Sequence, residues 1–243
     1  MNNNEFLNVL KLSYLEYLRT GSRSNAKLVI LHGKIAEDLQ IRLGDNYRVN
    51  ALGYNNGKET SIHGRYMNKK VDIAVSKNGR ELGGIAVKFV MTNYTQNSNN
   101  YFENMLGETA NIRCDNKKHF HVLVLPKKLP YFGQTIDEQE LKDVITKIET
   151  ISVHNIDKYT KLSNDNTDRY LHSPNKTLLY IINSTDREFT LFQKRDEWAQ
   201  FMLTDGVTNV TLNNDDVGAF GDTIIKNDYE DFITKVMHEF LAM

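Results

Sequence analysis

Residues 69–91, KKVDIAVSKNGRELGGIAVKFVM, limit the possible folds more than any other stretch of this chain. Asn78-Gly79 divides two segments of alternating apolar residues, the pattern of two strands joined by a tight turn. In the first segment Val71, Ile73 and Val75 share a face, which turns Asp72 to the other. In the second, Ile85, Val87, Phe89 and Met91 share a face, so Ala86 and Lys88 point the opposite way. An acid on one strand is therefore expected to face a lysine on its neighbour, a pair able to hold a metal ion and a phosphate. Lys88 sits among apolar residues, where an ammonium without a partner is costly to bury. Taken alone, Asp72 reads better as a solvent-facing strand residue; the lysine opposite changes the balance.

Around this hairpin, periodicity predicts helices over 4–21 and 26–43, stopped by Gly21 and Gly44, the second capped by Ser24 or Asn25. It predicts strands at 47–52, 59–63, 119–126 and 177–184, a short helix at 195–203 and a final helix at 227–241. Residues 92–100, TNYTQNSNN, are expected as a polar loop before a helix over 101–113 with Phe102, Met105, Leu106 and Ile112 as its apolar set. Residues 137–151 are expected as an amphipathic helix with an acidic start, and 152–176 have no clear period. Helices flanking a central mixed sheet give an α/β or α+β class, and 243 residues suit a single domain spanning 1–243.

Composition narrows the function. No apolar run approaches the length of a membrane span, and MNNNEF is neither a signal nor a transit peptide. The one cysteine, Cys114, excludes an intrachain disulfide and a cysteine-based zinc cluster, and suits a reducing cytoplasm. Net charge is −1, but residues 58–128 hold 12 Lys and Arg against 6 Asp and Glu, while the rest holds 18 against 25. A basic middle with acidic flanks is what a groove for a polyanion looks like; a solvated surface with clustered charge gives the same count. The seven histidines show no ligand spacing, and His119 and His121, either side of Phe120, fit ordinary packing in a sheet. There is no serine elbow or phosphate-binding glycine loop, and Gly83-Gly84 reads as a bulge or a close approach.

Asp72, a hairpin, and Ile85-Ala86-Val87-Lys88 resemble the PD-(D/E)XK core of type II restriction endonucleases. The resemblance covers roughly residues 30–126 and rests on a short, degenerate motif. It implies a restriction-endonuclease-like core, with 127–243 completing the fold and serving DNA recognition or dimerisation. It also implies a Mg²⁺-dependent hydrolase that cuts double-stranded DNA at specific sites as a homodimer, with a cognate DNA methyltransferase in the same system. Carried over residue by residue, Asp72 is the first metal-binding acid, the Val87 backbone carbonyl joins it, and Lys88 is the catalytic lysine.

Two positions depart from the motif. Val71 stands where the family often has proline. Ala86 stands where the second acid is expected, and a methyl group cannot ligate magnesium. Three explanations follow: an engineered replacement of an original acid, a carboxylate moved to the following helix as in some restriction enzymes, or natural loss of activity. The first is preferred, because the rest of the motif is intact. Under the second, Glu103 is the leading candidate and Glu108 the runner-up; Glu81 lies at the turn, and Glu37 on an earlier helix is an accessory acid. Base contacts are expected from Asn93, Tyr94, Gln96, Asn97, Asn99 and Asn100, and phosphate contacts from Arg113, Lys117 and Lys118. The rival readings are a catalytically silent DNA-binding protein on a nuclease fold, and an α/β domain binding a small molecule or a protein.

Overall fold

Two antiparallel helices lead into the sheet: α1 (Asn3–Thr20) and α2 (Ala26–Leu43), closed by Gly21 and Gly44 at φ of 78° and 76°, a backbone region glycine enters freely. In this computed structural model residues 1–137, 140–207 and 209–243 are described. The chain continues through β1 (Tyr47–Ala51), β2 (Thr60–Ile62), β3 (Lys69–Val71), β4 (Ile73–Lys77) and β5 (Arg80–Phe89). Then follow α3 (Tyr94–Arg113), β6 (Lys118–Pro126), β7 (Lys128–Asp137), β8 (Glu140–Thr150), α4 (Val153–Leu162) and β9 (Lys176–Asn183). α5 (Arg195–Phe201) runs into a π-helical turn, and β10 (Thr211–Leu212), β11 (Ile224–Lys226) and α6 (Tyr229–Leu241) end the chain.

The central mixed sheet has the order β1-β4-β5-β6-β9-β10, with β11 beside β9. β1, β4 and β5 are antiparallel; β5, β6 and β9 run parallel, with Lys88 level with Leu123 and Leu123 level with Leu179. Parallel strands need both faces covered, and both are. Ile85, Val87, Phe120, Val122, Leu178 and Tyr180 pack under α1, α2 and α6, whereas Leu123, Leu125, Leu179 and Ile181 pack under α3 and α4. Gly83 has φ 147°, and a Cβ there would lie 1.9 Å from the Lys118 carbonyl oxygen, so this glycine lets β6 close against β5 beside a bulge in the hairpin. Among the described residues no helix is long and apolar enough to cross a membrane.

Two expectations are corrected. The helix expected over 137–151 is replaced over 140–150 by strand β8, paired along its length with β7, and residues 138 and 139 lie outside the described residues. Leu141, Val144, Ile145 and Ile148 have helical spacing, but the segment is rich in β-branched residues and has a complementary strand beside it. A bulge between Tyr131 and Phe132 puts the extra residue after Ile145, so Ile145 and Ile148, three residues apart, pack in one cluster with Phe132 and Trp198. Nor is 92–100 wholly loop, because α3 starts at Tyr94. Asn93, at φ 51°, turns the chain out of the strand, and buried Tyr94 holds the first turn down against the low helix propensity of the asparagines.

Candidate active site

β4 pairs with β5 only as far as Ile73 opposite Ile85. At Asp72 the chain bends away, and β3 pairs instead with β2. Val71 therefore leaves the face of Ile73 and Val75 and joins a small cluster with Ile62 and Ile112. The bend strips the upper half of β5 of its neighbour. The Val87 N–H, left without a strand partner, donates to Asp72 Oδ2 at 2.7 Å. One carboxylate oxygen thus ties Asp72 to the edge of β5, and the side chain stays 27% exposed.

Ala86 and Lys88 lie on the α3 face of β5, with His121 of β6 level with Ala86. Helix α3 crosses them and presents Tyr101, Asn104, Met105 and Glu108, spaced three and four residues apart on one side of the helix. The start of α2, with Asn25, Leu28 and His32, forms the far wall of a cleft of about 410 Å³. Asp72, Ala86, Val87, Lys88 and Glu108 all line it. Lys88 Nζ lies 4.3 Å from the centre of the Tyr101 ring, and Glu108 Oε1 is 2.5 Å from Lys69 Nζ.

Burial pushes the Asp72 carboxyl up to about 6. The Val87 N–H pulls it down, Glu108 pushes it up, and Lys88 and Lys69 pull it down. Burial lowers the Lys88 ammonium from its ordinary value, while Asp72 and Glu108 raise it. His32 Nδ1 is 3.8 Å from Asp72 Oδ1, and neither ring nitrogen has a hydrogen-bond partner among the described residues. Burial brings His32 and His121 down to about 4, so both imidazoles are neutral at pH 7.

The residues named from sequence divide into two groups. Asp72, Ala86, Val87 and Lys88 come together with Glu108. Glu103 does not: it is exposed, lies outside the cleft and faces Lys158. Glu37 is half-exposed and paired with Lys34 at 2.7 Å, and Glu81 accepts from the His63 N–H near the turn. The expected DNA contacts also need correcting. Tyr94 is buried, with its hydroxyl on the Asn155 carbonyl. Asn93 both accepts from the Phe132 N–H and donates to the Phe132 carbonyl, so it ties α3 to β7. Asn97 donates back to Asn93, and Asn99 accepts from Lys158. Gln96 and Asn100 are exposed.

Lys117 pairs with Asp115 and Glu81, and Lys118 with Glu239 at 2.6 Å. Both stand at the opposite end of the sheet from the cleft, since Lys118 is level with Gly83. Five residues along a strand from there to the level of Lys88 span about 16 Å, a distance one duplex can bridge, so it is their carboxylate partners that keep Lys117 and Lys118 from being free phosphate contacts. Arg113 is buried and donates to the carbonyls of Ser173 (2.6 Å), Thr167 (2.8 Å) and Tyr170 (3.4 Å). Its role is to hold the segment after α4. Arg113→Ala is expected to destabilise the protein by about 3 kcal/mol or more, because three carbonyls lose a charged donor. A thermal melt lowered by roughly 6–12 °C would show this. An unchanged melt with weakened DNA binding would restore Arg113 as a phosphate contact.

The sequence reading missed Tyr101, His32 and His121. Tyr101 shares the helical stripe of Met105 and Glu108, a signal present within the expected helix 101–113 once Met105 is taken as inward. Nothing local marks His32, which meets Asp72 only through the packing of α2.

Among the described residues no three His, Cys, Asp or Glu side chains are grouped so as to hold a metal ion by themselves. Magnesium requires less than that: one or two carboxylates, with water and phosphate oxygens filling the rest. Asp72 and Glu108 both line the open cleft, and the charge of Glu108 pushes the Asp72 carboxyl up. Strand geometry turns the Val87 carbonyl to the same edge as its N–H. This all-oxygen donor set fits a hard divalent cation. Comparison with protein-family models, with curated proteins and with solved structures finds no match to this chain, so the reading of the cleft rests on its own residues.

Proposed function

We propose that this chain is a Mg²⁺-dependent endonuclease that hydrolyses phosphodiester bonds of double-stranded DNA, on a restriction-endonuclease-like core. The observation that carries the proposal is the convergence of Asp72 and Lys88 on one cleft, with Glu108 presented across it by α3. Asp72, Glu108 and the Val87 carbonyl would hold the ion. Bound there, magnesium supplies positive charge to the phosphate oxygens and makes water a stronger acid. Lys88 orients the attacking water and offsets the charge that builds on phosphorus oxygens in the transition state. Tyr101 keeps the Lys88 ammonium over its ring. His121, neutral and level with Ala86, adds no charge of its own.

In this reading the second acid comes from α3 as Glu108, and Ala86 needs no lost predecessor. A palindromic target would match a homodimer in which each copy cuts one strand, with a methyltransferase protecting the host's own sites. The test is incubation with mixed-sequence duplex DNA, with and without Mg²⁺. Discrete fragments should appear only with the metal, and Lys88→Ala should slow their formation about 10²–10³-fold while DNA is still bound. Absence of metal-dependent fragments under all conditions overturns the proposal. One observation favours a second reading, a silent DNA-binding protein on the same fold: Glu108 is already paired with Lys69. That reading gives salt-sensitive DNA retention without any fragments.

A further inference from the structure

We infer that residues 64–70, GRYMNKK, form a preorganised tab that contacts the same DNA duplex as the cleft, with Tyr66 and Met67 set against the bases and Arg65 and Lys70 on phosphates. The inference rests on the nuclease reading and adds a second contact surface to it.

The tab is built to hold apolar side chains in water. Tyr66 is 78% exposed and Met67 65% exposed. Yet their backbone is pinned by one residue of α3, Asn111, itself only 7% exposed. Asn111 Oδ1 accepts from the N–H groups of Tyr66 (2.9 Å) and Met67 (3.3 Å). Its Nδ2 donates to the Met67 carbonyl (2.9 Å), and its own carbonyl accepts from the Arg65 N–H (2.8 Å). Gly64 makes room for this clamp, since a Cβ there would lie 2.2 Å from Asn111 Nδ2. Fixing a ring and a thioether in solvent gains the folded chain nothing from burial. It removes the ordering cost of a later contact.

Charge selects the partner. Between Glu59 and Asp72 there is no acid, while Arg65, Lys69 and Lys70 are basic. Lys69 is taken by Glu108. Arg65 and Lys70 make no ion pair or side-chain hydrogen bond with any described residue. The nearby carboxylates are already occupied: Asp115 by His63 and Lys117, Glu81 by Lys117 and the His63 N–H. Free cations beside an exposed ring and a flexible thioether match a polyanion with planar faces. Such side chains wedge between or stack on bases while the cations position the backbone. Met67 is five residues from Asp72 along the chain, so no more than about 17 Å separates their Cα atoms. One duplex can reach both. Glu108 and Asn111, three residues apart on α3, couple the cleft to the tab.

The test is binding of a fluorescent mixed-sequence duplex without divalent metal, between 50 and 200 mM salt. Tyr66→Ala and Met67→Ala should each weaken binding about tenfold with an unaltered salt slope. The double change Arg65→Ala/Lys70→Ala should reduce the slope of log K against log salt by about 2. Asn111→Ala, which leaves the exposed side chains but frees the tab, should weaken binding with a smaller change in slope. Wild-type affinity and slope in the folded tab variants would overturn the tab, whether or not the wild type cuts DNA. Lack of metal-dependent cleavage by a wild type whose tab variants still lose binding would overturn the nuclease reading and leave the tab standing.

Discussion

Replacing Asp72 by asparagine is expected to abolish Mg²⁺-dependent cleavage, by about 10³-fold or more, and to make the protein more stable at pH 8. The two effects share a cause. Asp72 is held near the edge of β5 in a partly buried place, where its carboxyl is pushed up to about 6 from an ordinary 3.8. A carboxyl raised in the folded state favours folding fully below its unfolded value, and that contribution is lost as pH rises through the folded value. The loss therefore falls between about pH 4 and pH 6, and at pH 8 the ionised side chain opposes folding. Two pH units correspond to about 3 kcal/mol. Because the side chain opens onto the cleft, solvent reduces this to about 1–2 kcal/mol, or a rise of roughly 3–6 °C in Tm for Asp72→Asn. Asparagine retains an oxygen for the Val87 N–H, so the bend in the chain survives. At pH 4 the two proteins should melt almost together. If Asp72→Asn melts lower than wild type at pH 8, the burial argument for this carboxylate fails. If it still cuts DNA at the wild-type rate, Asp72 is not in the reaction.

The second large effect belongs to Glu108. Glu108→Gln should lower cleavage about 10²–10³-fold, equivalent to about 3–4 kcal/mol in the barrier, whereas Glu103→Gln should leave it unchanged. Glu108 lines the cleft with Asp72 and Lys88; Glu103 is exposed outside it. A decisive comparison adds Ala86→Glu. If Glu108 has taken over the missing position, Ala86→Glu should raise cleavage in the Glu108→Gln background, because a carboxylate on β5 then faces the same cleft. A sharp rise from Ala86→Glu with wild-type Glu108, and no loss from Glu108→Gln, would point instead to a replaced acid at 86. The Lys69 pair also matters: Glu108→Gln frees an ammonium near Asp72, so part of any stability change belongs to that broken pair.

The choice between Glu103 and Glu108 shows how far spacing along the chain carries an argument. Glu103 is nearer Lys88 in sequence. On a helix, however, two residues two positions apart point to nearly opposite sides. Met105 belongs to the buried stripe of α3, which turns Glu103 outward and brings Glu108, three residues on, round to the sheet. The information was present once Met105 was placed inward; the unknown was which strand the stripe would cover. Residues 137–151 failed differently. Their apolar residues fit a helix as well as a bulged strand, and the partner strand decided between them.

Sequence alone determined the short-range features: the Asn78-Gly79 hairpin, the glycine ends of α1 and α2, and the strands around β6 and β9. Backbone preference and side-chain alternation act within a few residues, so they are legible without a fold. Only the tertiary structure decided the break of β3 from β4 at Asp72, the crossing of α3 that brings Glu108 and Tyr101 to Lys88, and the burial of Arg113 and Tyr94. These depend on which surfaces meet across long separations in the chain, where many pairings satisfy the same local pattern and packing selects one.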